Sequence, residues 1–114
     1  MRLRAATLVL ALMLAPGAAL AAGTPTFHIA IKANSFDPAT TTVPAGKRVK
    51  LLVTNKRKLP SEFESFDLNR EKVVPSGTTV TVWVGPLSPG KYKIFDDFNQ
   101  GTTGHVVAAR GGEK

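Results

Sequence analysis

The sequence predicts an all-β domain: two antiparallel sheets of short strands packed as a sandwich. Three observations predict it. Apolar residues recur at every second position in several segments. Proline and glycine turns separate those segments at short intervals. Beyond the N-terminal segment no helical period appears.

The chain opens with Arg2 and Arg4, an apolar run from Ala5 to Leu14, then Pro16-Gly17 and the small residues Ala18 to Ala21. A charged start, a short apolar stretch and an A-x-A pattern predict a secretory signal peptide over residues 1–21, cleaved after Ala21 or Ala22. The other reading is an uncleaved anchor. Against it, Pro16-Gly17 breaks the run, which is shorter than the roughly 20 residues a spanning helix needs. Export leaves a periplasmic domain over residues 22–114, with no second long apolar segment and hence no expected transmembrane span.

Within that domain Phe27, Ile29 and Ile31 alternate with His28, Ala30 and Lys32. Val49, Leu51 and Val53 alternate with Lys50 and Thr54. Val80, Val82 and Val84 alternate with Thr79, Thr81 and Trp83, and Tyr92 and Ile94 with Lys91 and Lys93. Asp37-Pro38, Pro44-Ala45-Gly46, Pro75-Ser76-Gly77, Gly85-Pro86 and Ser88-Pro89-Gly90 punctuate them. About seven strands are expected, near 25–32, 40–43, 47–54, 62–67, 78–84, 90–96 and 103–109, with a frayed tail from Arg110.

Composition narrows the chemistry. There is no cysteine, so the domain relies on packing rather than disulfides. The same absence excludes cysteine nucleophiles, thiolate zinc sites and type 1 copper centres. The formal charge is +7, with basic residues scattered except for Lys56-Arg57-Lys58. That cluster reads as a solvated loop, or as a docking point for an acidic partner or membrane surface. In an exported protein no nucleic-acid partner is expected. No Gly-x-Ser-x-Gly, phosphate loop or His-Glu-x-x-His is present.

Of the eight acidic residues, five sit in two clusters. Glu62 and Glu64 are two apart, which places them on one face of a strand, with Glu71 further on. Asp96 and Asp97 close the strand that contains Tyr92 and Ile94. Like charges on one face repel unless a cation or basic side chain compensates. Two readings stay open: oxygen ligands for a hard cation, or an acidic rim paired with Lys56, Arg57 or Lys58. His28, mid-strand on the polar face, and His105 read as surface or satisfied histidines. Trp83 lies out of phase with the valine face and covers the opposite face or is partly exposed.

Several blocks together carry a family resemblance: Phe36-Asp37-Pro38, Thr42-Val43-Pro44-Ala45-Gly46, the run from Val49 to Asn55, the long block Glu62 to Pro75, Val84-Gly85-Pro86-Leu87, Pro89-Gly90-Lys91-Tyr92 and Phe95-Asp96-Asp97-Phe98-Asn99. The Glu62 to Pro75 block is the specific part. Over nearly the whole mature domain the chain resembles cupredoxin-like domains of the EfeO type. It is most similar to the FtrB-like periplasmic component of FtrABCD-type ferrous-iron uptake systems. The resemblance implies a cupredoxin-like Greek-key β-sandwich. Copper-binding relatives carry their first ligand in a His-Ser-Phe-like segment, where this chain has Glu64-Ser65-Phe66. Their second ligand loop reads Tyr-x-x-x-Cys-x-x-His-x-x-Met-x-Gly. Aligned on Tyr92 and Gly104, it puts Asp96 at the Cys position, Asn99 at the His position and Thr102 at the Met position.

The resemblance thus implies a metal site at Glu64, Asp96 and Asp97, helped by Glu62 and Glu71, that takes iron and/or copper ions. It implies a role in binding iron, or in assisting its oxidation, and in delivering it to an iron permease or other periplasmic uptake components. Two alternatives stand beside it: a periplasmic copper(II)-binding or trafficking protein, and a docking module without a metal.

Overall fold

The computed structural model describes residues 23–111. The expected signal peptide and the last three residues lie outside the described residues. The described residues form nine strands and no helix. They are β1 (Thr26–Ile31), β2 (Phe36–Asp37), β3 (Thr40–Pro44), β4 (Val49–Asn55), β5 (Ser61–Ser65), β6 (Arg70–Val74), β7 (Thr79–Val84), β8 (Gly90–Asp96) and β9 (Thr103–Ala109).

The strands build two sheets, a four-stranded one ordered β2-β1-β4-β7 and a five-stranded one ordered β3-β9-β8-β5-β6. The alternation read from the sequence decides which side chains lie between them. Ile29, Ile31, Val49, Leu51, Val53, Val82 and Val84 face inward from the first sheet; Val43, Phe63, Val74, Ile94 and Val106 meet them from the second. Phe36 and Phe63 join the layers edge to face, with ring centroids 6.2 Å apart.

The sandwich differs from the expected one in two respects. Two neighbouring pairs run parallel, β1 with β4 and β3 with β9, so the sheets are mixed rather than wholly antiparallel. Two further strands are present, the two-residue β2 and the edge strand β6. The sequence Arg70-Glu71-Lys72 has no apolar alternation, because an edge strand buries little on either face.

Three local devices place β5. Asn55, fully buried at the end of β4, donates to the carbonyls of Leu59 and Val74 at 2.8 and 2.9 Å and accepts from the Arg57 amide at 2.8 Å. This closes the β4–β5 connection. At the other end the Ser65 hydroxyl donates to the Lys93 carbonyl at 2.6 Å and accepts from the Leu68 amide at 3.0 Å. The chain then turns through Asn69, whose φ of 56° is the left-handed conformation that asparagine tolerates. Between these ends β5 is held with β6 on one side and β8 on the other.

Candidate metal centre

Phe63 points into the core, so its neighbours Glu62 and Glu64 project on the opposite side of the five-stranded sheet. Asp97 reaches the same side from the end of β8. The registers Phe63↔Asp96 and Glu64↔Phe95 bring β8 alongside β5, and the Asp97 amide donates to the Glu62 carbonyl at 2.9 Å. One carboxylate oxygen from each of Glu62, Glu64 and Asp97 lies within 4.8 Å of the others. Glu62 is buried, Glu64 half-buried and Asp97 exposed, so the group is open on one side. Glu71 stands opposite Glu64 in the β5–β6 register.

The crowding of carboxyls perturbs Glu62 and Glu64. Burial, then the hydrogen bond and charge of Glu71, push Glu62 up to about 7, with Asp97 and Glu64 adding to the rise. Burial raises Glu64 as well, reinforced by the charges of Glu71 and Asp97. Arg57 turns inward to Asp96, and none of Glu62, Glu64, Glu71 or Asp97 forms an ion pair with a described residue. Gln100 donates to Asp97 Oδ1 at 2.9 Å. Three to four carboxyl groups on one open face, without an ion pair to a described residue, are a donor set suited to a hard cation.

Asp96 is placed differently from its neighbour. Consecutive strand residues point to opposite faces, and Asp96 faces inward with no exposed surface. Its Oδ1 accepts from the amides of Glu62 and Phe98, both at 3.0 Å, and its Oδ2 lies 3.4 Å from the Arg57 guanidinium. Arg57 also donates to Ser61 Oγ at 2.9 Å. Asp96 thus ties β5 to the β8–β9 turn and fixes where Glu62 stands relative to Asp97. Sequence reasoning treated Asp96 and Asp97 alike; period-two alternation at the end of β8 is the signal that separates them. His28 and His105 are on different sheets and do not meet.

The positions that hold copper in the resembling proteins do not fit a type 1 centre here. No thiolate is available. Asp96 is committed to two amides and Arg57. At the His position, the Asn99 side-chain amide donates to the Ala33 carbonyl at 2.8 Å and to Thr102 Oγ1 at 3.2 Å. Thr102, at the Met position, is fully buried, and its amide donates to the Asn99 carbonyl at 2.9 Å. The loop is closed by its own hydrogen bonds. The carboxylate group lies beside it, on the outer face of the sheet.

Comparison with known proteins bears on the fold. A protein of Rickettsia prowazekii (strain Madrid E), described as uncharacterized, is 42% identical over 74 residues, or 65% of this chain. The chain spans 59% of that relative's length. Among solved structures, dithionite-reduced auracyanin of Roseiflexus castenholzii superposes with a TM-score of 0.62 at 15% identity, covering 77% of this chain and 99% of auracyanin. A purple cupredoxin of Nitrosopumilus maritimus gives 0.56 at 20% identity, covering 72% of this chain and 98% of that one. The metal-binding domain of a Cu(I)-exporting P-type ATPase of Streptococcus pneumoniae D39, solved with Cu(I), gives 0.65 at 9% identity over 75% and 85% of the two chains. At these identities the likeness concerns the fold alone. A family model described as cupredoxin-like domain matches residues 4–108, nearly the full length, and the chain belongs to the cupredoxin-like domain family.

Proposed function

We propose that this protein is exported and binds iron as cargo at Glu62, Glu64 and Asp97, with Glu71 alongside, as an FtrB-like component of a periplasmic iron uptake system. The observation that carries the reading is the convergence of three carboxylates within 4.8 Å, with no ion pair to a described residue, in a chain of net charge +7. A cation relieves their repulsion, so binding favours the folded state. Anionic oxygens favour iron(III) over iron(II). The site would therefore assist oxidation by an external electron acceptor and hold the product for delivery to a permease. The resemblance of the Glu62–Pro75 block to the EfeO-type domains supports the uptake role. Cleavage after Ala21 would leave residues 22–114 as the working domain.

A second reading is copper(II) binding at the same carboxylates, prompted by the presence of a "blue" copper protein, auracyanin A of Chloroflexus aurantiacus, among the fold neighbours. Calorimetric titration with Fe(II) under anaerobic conditions, Fe(III) and Cu(II) separates the two. Iron is expected to bind at micromolar concentration or below, with protons released as Glu62 ionises. E62Q, E64Q and D97N should each weaken binding by about tenfold or more. Binding of Cu(II) without iron selects the copper reading. Binding of neither metal at micromolar concentration leaves a docking module without a metal. Mass spectrometry of the protein from the periplasm should give a start at Ala22 or Gly23; an intact Met1 would refute export with cleavage.

A further inference from the structure

Charge is divided between the two outer faces of the sandwich. The acids of β5, β6, β8 and their turns all belong to the five-stranded sheet. On the four-stranded sheet the one acid among the described residues is Asp37, and Lys32 binds it at 2.9 Å. Three cations, Lys47, Arg48 and Lys50, lie where β4 starts. Lys50 and Trp83 are register partners on β4 and β7. Both alternate with buried Val49, Leu51, Val82 and Val84, so both point away from the core. The Arg48 guanidinium lies 4.1 Å from the centroid of the Trp83 ring, and Lys50 Nζ lies 5.3 Å from it.

Two cations around one indole ring repel each other. The ring quadrupole offsets part of this, but neither cation has a carboxylate partner among the described residues. The outward positions beside them, Thr26, His28, Leu52 and Thr81, carry no acid. A basic face with an amphipathic aromatic at its centre suits a bilayer surface, where negative charge and an interfacial layer for the indole lie together. Glu62, Glu64 and Asp97, on the opposite outer face, would be repelled by the same surface, so the charge distribution selects one orientation.

We propose that the outer face of the four-stranded sheet, centred on Arg48, Lys50 and Trp83, docks on an anionic lipid bilayer with the acidic group turned away from it. The proposal stands on this face alone and does not depend on cation binding.

Trp83 is the single tryptophan of the chain, so its emission reports this face directly. Protein recovered from the producing cell is mixed with vesicles of phosphatidylcholine alone, or with phosphatidylglycerol added, and followed by fluorescence and co-sedimentation. Anionic vesicles are expected to bind the protein and shift the Trp83 emission to the blue, more weakly as salt is raised. R48E/K50E should weaken that binding by at least about tenfold, since each cation near the surface is worth about fivefold. K91E/K93E makes the same change of net charge on exposed lysines of β8, on the other sheet, and should retain most of the affinity. Near-ultraviolet circular dichroism checks that both variants are folded. Equal loss in the two variants would show that net charge rather than this face binds the vesicles. Vesicle binding without any shift of Trp83 would also overturn the proposal, as would binding to polyglutamate but not to vesicles, which would point to an acidic protein partner.

Discussion

Truncating the buried carboxylate at Asp96 tests the account of how the acidic group is held. In Asp96→Ala the amide of Glu62, itself buried, loses its acceptor. A stranded buried donor costs about 1–3 kcal/mol. The Phe98 amide is only partly buried and can turn to water, so it adds less. Arg57 has 13% of its side chain exposed and keeps the Pro60 carbonyl and Ser61 Oγ. Its contribution therefore falls below the about 3–5 kcal/mol of a fully broken buried pair. The expected total is about 3 kcal/mol, a large part of the about 5–15 kcal/mol typical of a domain. Asp96→Asn keeps Oδ1 as acceptor for both amides and should lose only about 1 kcal/mol. Urea denaturation measures both, with an unchanged slope required for the comparison. A loss below about 0.5 kcal/mol in the alanine variant would refute the reasoning, since surface changes lie in that range. Equal losses in the two variants would show that charge, not the acceptor, matters. Because Asp96 positions Glu62 without joining the oxygen group, Asp96→Asn should weaken cation binding less than E64Q does.

The remaining expectations concern pH and packing. Folded Glu62 keeps, up to about pH 7, a proton that the unfolded chain releases near 4.5, so this contribution is full below about 4.5 and lost as pH rises through about 7. Glu64 acts in the same direction. In chelator, the melting temperature should therefore fall across that window and be restored by the bound cation; a flat or rising profile would contradict the assignment. Gly104→Ala would place a Cβ 2.7 Å from the Ala39 carbonyl oxygen and 3.1 Å from Phe36, so β9 must shift at a cost of about 1–3 kcal/mol, and an unchanged melting temperature would refute the close approach.

Local pattern was enough for the all-β class, because alternation at period two reports only which residues share a face. It identified the inward valines and isoleucines of β1, β4 and β7, and it put Glu62 and Glu64 on one side of β5. It could not supply β2 or β6, which have too little buried surface to leave a pattern. The parallel pairing of β1 with β4 and β3 with β9 was likewise hidden, since pairing direction depends on distant partners and not on the pattern within a strand. The site divides along the same line. The residue types and the spacing of the glutamates were visible in the sequence. That Asp97 meets Glu62, and that Glu71 stands across from Glu64, depends on the registers of β8 and β6 with β5. Alternation in phase with Ile94 already separates Asp96 from Asp97, but the partners of each, Arg57 and the Glu62 amide for one and the neighbouring glutamates for the other, were decided only when β8 found its place in the sheet. That placement turns one carboxylate toward the space between the layers and the other toward water.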